Sequence, residues 1–303
     1  MIDFVGKKGW FFLVSAIIIV AGIISLAVFG LRLGVDFVGG TSMTFQFSSP
    51  IEQSQLRQEI ANLGYVKASI RNAEGDFIVH VKGMVSAEEG KKLAQELREK
   101  LGCEVKMTNP YSASPAVGTE TARSAGIAVV IAAVAMLIYI VWAFRRMPKP
   151  FRWGTCAIIA LIHDVFIIVG IFSILGWLAG IEIDALFITG LLAVVGYSIN
   201  NTVVIFDRIR ENVSRHISPD FTVTVNSSIM ETLGRSLNTA LTTLFVILAL
   251  FLFGGATIHY FVLVLLLGVI IGTYSSICIS SQLLVVWEKG EWGTLLPFAK
   301  KTA

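Results

Sequence analysis

The feature that most constrains this chain is a series of six apolar runs, each long enough to cross a bilayer. About 20 apolar residues in a helix span the roughly 30 Å hydrocarbon core. Of the 303 residues, 55% are hydrophobic and 15% are charged, a balance that excludes an ordinary soluble domain. The first run has a longer apolar core than a signal peptide, so we predict an uncleaved span there. The predicted spans are 10–29, 122–144, 154–178, 185–206, 236–253 and 260–287.

The positions of Lys and Arg predict how the spans are oriented. Basic residues cluster before the first span and after the second, fourth and sixth spans. All of these clusters share one side of the membrane if both termini do, whereas the opposite loops, 180–184 and 254–259, contain no Lys or Arg. Because basic loops stay in the cytoplasm, we predict that both termini are cytoplasmic.

A water-soluble insert separates the first two spans and is predicted to lie on the outer face. Four short runs in it alternate apolar and polar residues, as half-buried strands do. They are 43–47, 66–70, 77–81 and 103–107. The predicted organisation of the chain is an N-terminal tail and first span (1–30), an outer domain (31–121), a five-helix membrane domain (122–288) and a cytoplasmic tail (289–303).

Two helices are predicted between these strands from their terminal signals. A serine followed three residues later by Glu, at 49–52 and at 86–89, predicts a capping box that satisfies free amide hydrogens. Gly64 and Gly102 suit the left-handed position after a last helical turn. The resulting order is β-α-β-β-α-β, which predicts a ferredoxin-like α+β domain. Since that fold hosts many functions, it does not by itself indicate one.

The fourth span is the candidate working element. Asn200 and Asn201 lie deep within it, and it ends in a charged stretch that includes Asp207. Polar side chains at that depth usually pair, line a pathway or bind something. In the fifth span, Arg235 begins a polar stripe, and we expect this stripe to meet the amide pair. The alternative is that Arg235 is a snorkelling anchor at the end of its span.

Asp164, preceded by His163, lies about ten residues into the third span and therefore near mid-membrane. Such a carboxyl group suits proton handling, and the alternative is a buried pair that fixes helix contacts. Outside the spans, His80, Glu182 and Asp184 are predicted to be solvated, although Asp184 could also be an entry point for ions from the outer side.

Glycine and small residues mark two further positions. Gly34, Asp36, Gly39 and Gly40 follow the first span, where glycines with positive φ would permit either a hinge or a rigid tight turn. In the sixth span, small residues recur every four positions and predict close helix packing. These are Gly268, Gly272, Ser276 and Ser280.

Enzymatic motifs are absent from the sequence. It contains no HExxH, GxSxG or GxxxxGK(S/T) pattern, so we predict no catalytic residues, no metal site and no cofactor. The three cysteines do not form a disulfide framework, because two of them lie in apolar spans.

Several segments together resemble the SecF family, which supplies the smaller membrane subunit of the SecDF protein-export complex. They are GVDFVGG at 34–40, His163-Asp164, IEID at 181–184, GYSINN followed by FDRIREN, and FGG at 253–255. The resemblance implies half of a transporter of the resistance-nodulation-division superfamily in a bacterial cytoplasmic membrane. It also implies SecD, the SecYEG channel and YajC as partners, preproteins as substrates, H⁺ or Na⁺ as the coupling ion, and neither a cofactor nor nucleic acid.

One residue departs from the family pattern. Asn201 stands where the family has an Asp that serves as a proton relay, and an amide cannot titrate. Asn201 could belong to a natural variant that couples through sodium or through SecD carboxylates, because an amide oxygen binds hard cations. It could also be a replacement introduced to mimic the neutral state, or a polar contact that only holds helices together.

Two functions therefore remain open at the level of sequence. The first is an ion-gradient-driven translocase subunit whose membrane helices tilt the outer domain. The second is a non-transducing subunit that holds SecD and the channel together.

Overall fold

The computed structural model describes residues 2–66, 68–73, 75–83, 86–255 and 257–294. Within these residues, six helical segments are long and apolar enough to cross a membrane, which confirms the predicted number of spans. The elements in chain order are α1 (Lys8–Phe29), α2 (Val35–Val38), β1 (Gly40–Phe47), α3 (Gln53–Asn62), β2 (Ser69–Ala73), β3 (Asp76–Val81), α4 (Ala87–Leu101), β4 (Val105–Ala113), α5 (Pro115–Ala143), α6 (Pro150–Ala179), α7 (Ala185–Ser214), α8 (Phe221–Phe253), α9 (His259–Ser275), a π-helical turn (Ser276–Ser280), α10 (Ser281–Lys289) and a 3₁₀ turn (Trp292–Thr294). The sixth span consists of α9, the π-helical turn and α10.

Three helices extend furthest beyond the apolar runs that predicted them. α5 and α8 begin earlier than predicted, and α7 continues to Ser214. The starts of α5 and α8 are fixed by caps, since Ser114 accepts a hydrogen bond from the Val117 amide and Asp220 accepts one from the Thr222 amide. Hydropathy marks the part of a helix inside the membrane, whereas caps mark where the helix itself begins.

Three of the six spans form the centre of the membrane domain. In the most apolar stretch of each helix, 50% of α6, 50% of α7 and 61% of the sixth span is buried within the protein. The corresponding values for α1, α5 and α8 are 17%, 6% and 11%. Side chains on α6, α7 and the sixth span therefore meet each other, whereas the other three helices mainly face outwards.

The close approach of α7 and α9 depends on glycine. A Cβ atom added to Gly268 would lie 2.0 Å from Val194 Cγ2, and one added to Gly272 would lie 3.0 Å from Ser198 Cβ. Both glycines are buried. Two helices that share such a seam can bring their backbones close enough for short side chains to meet across it.

The sixth span changes from α-helix to π-helix beside this seam. Ser276, the first residue of the π-helical turn, has its Oγ 2.9 Å from Thr202 Oγ1 on α7. Its carbonyl oxygen accepts hydrogen bonds from the hydroxyls of Ser280 and Ser281, at 2.9 and 2.8 Å. These side chains satisfy a carbonyl group where the regular helical bonding pattern is interrupted, a situation often found at functional sites.

The outer domain consists of a four-stranded sheet and two helices. The strand order is β2-β3-β1-β4, and each neighbouring pair is antiparallel. Its core contains alternate residues of the strands, which face the apolar sides of α3 and α4. The largest fully buried side chains there are Met43, Phe45, Leu56, Ile60, Phe77 and Leu97.

The ends of the outer elements differ in part from the predictions. The capping box at Ser86 and the left-handed Gly102 are confirmed. The box predicted at 49–52 is wrong, because α3 begins at Gln53, whose side chain ties the first turn to β2 by donating to the Ile70 carbonyl at 2.6 Å. The second strand begins at Ser69 rather than at 66, because the Ala68 amide donates to the Tyr65 carbonyl and not to a neighbouring strand.

Candidate ion-coupling site

Asp164 on α6 lies at the centre of a buried polar cluster that joins the three central helices. Its side chain accepts hydrogen bonds from Ser198 Oγ of α7 at 2.5 Å and from Ser275 Oγ of α9 at 2.8 Å, both at Oδ2. The other oxygen, Oδ1, lies 2.9 Å from His163 Nδ1. Asp164 and Ser198 are each 1% exposed, and Ser275 is fully buried. The carboxyl group therefore links α6, α7 and α9 through three side chains.

This geometry connects the protonation state of Asp164 to helix packing. An ionised carboxylate only accepts hydrogen bonds, so it can hold both serine hydroxyls as donors. When Oδ2 is protonated, its O–H group becomes a hydrogen-bond donor. At least one serine hydroxyl must then turn away or accept a hydrogen bond from it. A single proton can thus weaken or redirect the bonds that tie α7 and α9 to α6.

Sequence reasoning did not identify Ser198 and Ser275 as partners of Asp164. Ser198 lies 34 residues from Asp164 in the sequence, and Ser275 lies 111 residues away. The one available signal was position, since Ser198 belongs to the GYS segment of the polar fourth span and Ser275 directly precedes the predicted seam residue Ser276. Serines are common in membrane helices, so that signal did not distinguish these two from the others.

The two asparagines of α7 occupy different environments. Asn200 is exposed, whereas Asn201 is 8% exposed and its Nδ2 atom has no hydrogen-bond partner among the described residues. Asn201 lies three residues after Ser198, so both project from the same side of α7, with Asn201 nearer its C-terminal end. An amide nitrogen that is buried without a hydrogen-bond partner is destabilising.

Arg235 and Asp207 lie away from the buried cluster. Arg235 is exposed on α8 and forms no hydrogen bond or ion pair within the described part of the chain. α7 and α8 instead meet nearer the C-terminal end of α7, where Asn212 Nδ2 donates to Ser228 Oγ at 2.9 Å. Asp207 is exposed and paired with Arg210. The expected contact between Arg235 and the amide pair is therefore not formed, because the Arg235 side of α8 faces outwards.

The segment after the first span is bonded to the outer end of the membrane domain. The Gly34 amide donates to the Ile183 carbonyl, and the Ile183 amide donates to Arg32, both at 2.8 Å. Asp36 Oδ2 accepts a hydrogen bond from the Ala185 amide, at the start of α7, at 2.9 Å. This segment thus fixes the outer domain to the loop between α6 and α7.

The three glycines of this segment occupy positions that disfavour a larger residue for different geometric reasons. Gly34 has φ −76°, so it does not need the positive φ that we predicted for it. A Cβ on it would nevertheless approach the Ile183 carbonyl oxygen at 3.0 Å. Gly39 and Gly40 have φ +75° and +134°, and a Cβ on either would come within 2.6 Å of backbone atoms of Pro115 or Val81. The double glycine is therefore required both by conformation and by space.

A second set of contacts joins the outer sheet to the membrane domain. His80 Nδ1 on β3 contacts Glu182 Oε2, and both side chains are largely buried. The Arg71 guanidinium on β2 lies 4.4 Å from the centre of the Tyr260 ring at the start of α9. The prediction that His80 and Glu182 are solvated is wrong, because the polar face of the strand rests on the loop 180–184 and not on water.

Asp184 is also not a free solvated carboxylate. It caps α7, where Oδ1 accepts a hydrogen bond from the Phe187 amide at 2.9 Å. Burial, together with the nearby charge of Asp36, raises the pKa of Asp184 above its ordinary value. This carboxyl group lies at the outer end of α7, the helix whose Ser198 binds Asp164.

The contact between His80 and Glu182, which we call the outer latch, should weaken in acid. Burial alone would raise the pKa of Glu182, but hydrogen bonds and charge from His80, together with Ser69 and Arg71, outweigh burial and lower it. Because the folded-state pKa lies below the ordinary value of 4.5, the stability that Glu182 contributes is present above pH 4.5 and is lost as pH falls through the lowered value.

We therefore expect the outer domain to loosen below pH 4.5, and a Glu182→Gln variant to be loose at every pH. Double electron–electron resonance between spin labels at Lys106 and Leu178, with Cys103 replaced by Ser, would measure the distance between the outer domain and α6. Glu99→Gln, on the exposed side of α4, is the matched control and should keep the narrow distribution. A distribution that is unchanged in Glu182→Gln would show that the outer latch does not hold the domain.

The described residues offer oxygen ligands but no dense metal site. Among them, no group of three or more His, Cys, Asp or Glu side chains is arranged to hold a metal ion. The oxygens of Asp164, Ser198 and Ser275 converge between α6, α7 and α9 and could accept either a proton or, if the hydroxyls turned, a small hard cation.

Fold and site together define a multi-pass membrane protein with an ionisable cluster between its central helices and an outer domain between its first two spans. Residues 92–290 match the family described as "Protein export membrane protein SecD/SecF, C-terminal". Residues 24–51 match the "SecD/SecF GG Motif", which contains Gly39 and Gly40. The chain therefore belongs to the SecF branch of the SecD/SecF protein-export family.

Named relatives are similar over nearly the whole chain. The chain is 44% identical to the protein translocase subunit SecF of Thermobaculum terrenum, with 96% of both chains covered. It is 41% identical to that of Anaerolinea thermophila, again with 96% of both covered. It is also 34% identical to the protein translocase subunit SecDF of Bacillus subtilis, where the match covers 95% of this chain and 38% of the relative.

The fold is similar to a solved SecDF structure. The crystal structure of SecDF from Thermus thermophilus, a translocon-associated membrane protein, matches with TM-score 0.84 and 32% identity. The match covers 95% of this chain and 39% of the SecDF chain, so this chain spans about two fifths of that relative. A structure of SecDF in a "Super-membrane-facing form" matches with TM-score 0.68 and 31% identity.

Proposed function

We propose that this chain is a subunit of a SecDF-type accessory complex that uses the proton gradient to promote preprotein export across the cytoplasmic membrane. The observation that carries this proposal is the buried cluster in which Asp164 binds Ser198 and Ser275. Two relatives with fused SecD and SecF parts support a SecD-type protein as the partner. The SecYEG channel, YajC and preproteins follow from the family resemblance.

The mechanism follows from the contacts at the N-terminal ends of α7 and α9, the two helices whose serines bind Asp164. α7 begins beside Asp36, and α9 begins beside Arg71, so both helices that bind Asp164 also contact the outer domain. When a proton reaches Asp164 and the serine bonds rearrange, α7 and α9 can shift relative to α6. The outer domain then moves with their outer ends, which pulls on a preprotein segment.

We expect the partner to bind on the outward faces of α7 and α8. Asn200, Asp207 and Arg235 project from the outward faces of α7 and α8, where the described part of this chain does not cover them. Of these three residues, Asn200 lies inside a predicted span, where an exposed amide is costly in lipid. A SecD-type partner that covers these faces would complete the ion pathway to which Asn201 and Asp164 contribute from within.

The proposal also includes the orientation of the chain in the membrane and the fold of the outer domain. The basic loops favour cytoplasmic termini, so the outer domain would face the side from which protons enter. Its element order and the strand order β2-β3-β1-β4 support a ferredoxin-like domain. A hinge at 34–40 would operate only after the backbone bonds to Ile183 open.

Asn201 favours a second candidate function. An amide cannot carry a proton, and the Nδ2 atom of Asn201 has no partner among the described residues. If coupling in this subunit depended on that position alone, the chain would be a non-transducing subunit that stabilises SecD and the channel.

Replacing Asn201 by Asp separates the two candidates. If Asp164 couples the gradient, we expect wild-type complexes in proteoliposomes to export preprotein faster under a proton gradient. Asn201→Asp should then change that rate by less than about twofold. Protection of the preprotein from protease is the measurement, and Asn62→Asp, exposed at the end of α3 and outside the spans, is the matched control. The opposite result would establish the non-transducing function instead. In that case the wild-type export rate would be the same with and without the gradient, and only the Asn201→Asp variant would export faster under the gradient.

A further inference from the structure

The sixth span changes its neighbours at the point where it changes from α-helix to π-helix. On the N-terminal side of the π-helical turn, α9 packs along α7 through the glycine seam, where Gly272 faces Ser198. The first residue of the turn, Ser276, still shares a hydrogen bond of 2.9 Å with Thr202 of α7. A displacement of α7 is therefore passed to α9 as far as the turn.

On the C-terminal side of the turn, α10 is fixed to three other helices. Leu284, Val285 and Val286 are fully buried. A single ion pair at a partly exposed position contributes little, but pairs with three different helices restrain the end of α10 from three directions. These pairs join it to the starts of α8, α6 and α1, and they are Lys289 with Asp220 at 2.8 Å, Glu288 with Arg152 at 3.1 Å and Glu291 with Lys8 at 2.6 Å. As a result α10 stays with α6, whereas α9 follows α7.

The π-helical turn can absorb a difference in position between α9 and α10. Because its backbone bonds span one residue more than those of an α-helix, it holds about one residue of slack, equivalent to a rise of about 1.5 Å. The hydroxyls of Ser280 and Ser281 donate to the Ser276 carbonyl. This carbonyl is therefore not left without a partner inside the membrane when the backbone bonds around it rearrange.

We propose that the π-helical turn Ser276–Ser280 is the hinge of the sixth span, at which α9 moves with α7 while α10 remains with α6. The bond from Ser275 to Asp164, at 2.8 Å, holds this hinge closed, because it ties the last residue of α9 directly to α6. α9 has 17 residues and is about 25 Å long, so a tilt of about 10° moves its N-terminal end by about 4 Å. That the hinge serves export rests on the proposed function, whereas the hinge itself does not.

Double electron–electron resonance on the full chain with its SecD-type partner, with Cys103 replaced by Ser, measures the two halves separately. The common reference label is at Arg146, which is exposed four residues before α6. A second label at Thr257, exposed two residues before α9, follows α9. One at Gly293, where a Cβ meets nothing within 4 Å, follows α10. The Ser275→Ala variant should shift the α9 distance by about 4 Å and leave the α10 distance unchanged.

A second serine provides the matched control for this measurement. Ser124→Ala, at an exposed position on α5, should change neither distance. If Ser275→Ala shifts both distances together, or shifts neither, the proposal is overturned. Neither a gradient nor a preprotein is used, so this failure can be told apart from a failure of the proposed function, which the export assay reports.

Deleting one residue tests whether the turn holds a spare residue. Without Cys278, the middle residue of the turn, the sixth span can form a continuous α-helix with α9 and α10 in place, so the Tm should stay within about 3 °C of the wild type. Deleting Leu266, inside α9, rotates one part of the helix by about 100° against its neighbours and should lower the Tm by about 10 °C or more. In Ser275→Ala, the added Cys278 deletion should return the α9 distance to its wild-type value. Equal losses of Tm in the two deletions would contradict the hinge.

Discussion

Replacing Gly268 by Ala should destabilise the membrane domain by about 3 kcal/mol, because a methyl group has no room between α7 and α9. The added Cβ would lie 2.0 Å from Val194 Cγ2, far inside van der Waals contact, so the two helices would have to separate. Helix propensity alone predicts the opposite sign, since Ala favours a helix over Gly by about 1 kcal/mol. The seam between α7 and α9 is thus where packing overrides propensity.

Thermal unfolding of the purified chain in detergent measures this effect. We expect the Gly268→Ala variant to lose about 5–10 °C in Tm, scaled from domains of comparable size. Gly196→Ala on α7 is the matched control, because a Cβ there meets nothing within 4 Å and the Tm should hold or rise. Adding Val194→Ala should restore part of the loss. A Gly268→Ala variant as stable as the control would mean that the seam is not tightly packed.

Properties that depend on local pattern could be predicted from the sequence. The six spans were found because a membrane helix needs a continuous apolar run of known length. Strands β1 and β3 were found because the apolar residues around Phe45 and Phe77 alternate with period two. The capping box at Ser86 is equally local, since both of its side chains lie within one helical turn.

Contacts between distant segments could not be predicted. Nothing in the sequence indicates that Ser275 meets Asp164 or that His80 meets Glu182, pairs that are 111 and 102 residues apart. Helical spacing correctly places Arg235 on a polar stripe, but it does not tell which way that stripe faces. The structure turns it outwards, because α8 is a peripheral helix whose apolar stretch is only 11% buried. The burial of a helix is a property of the whole bundle.

Replacing Asp164 by Asn should remove gradient-driven export while keeping the fold. The amide has nearly the shape of the carboxyl group, and its oxygen can still accept hydrogen bonds from Ser198 and Ser275. It cannot gain or lose a proton, so α7 and α9 would stay in one arrangement relative to α6. We expect the gradient-dependent part of export to fall by about tenfold or more, equivalent to at least 1.4 kcal/mol, with little change in Tm.

The most direct test of this mechanism is the rate of preprotein export by proteoliposomes that contain Asp164→Asn complexes, measured with and without a proton gradient. Asp220→Asn is the matched control, because Asp220 lies outside the spans and Asn caps a helix equally well. If Asp164 couples the gradient to motion of α7 and α9, the Asp164→Asn complex exports at its gradient-free rate under both conditions, while Asp220→Asn responds like the wild type. An Asp164→Asn complex that still accelerates fully under the gradient would contradict the coupling role of this carboxyl group.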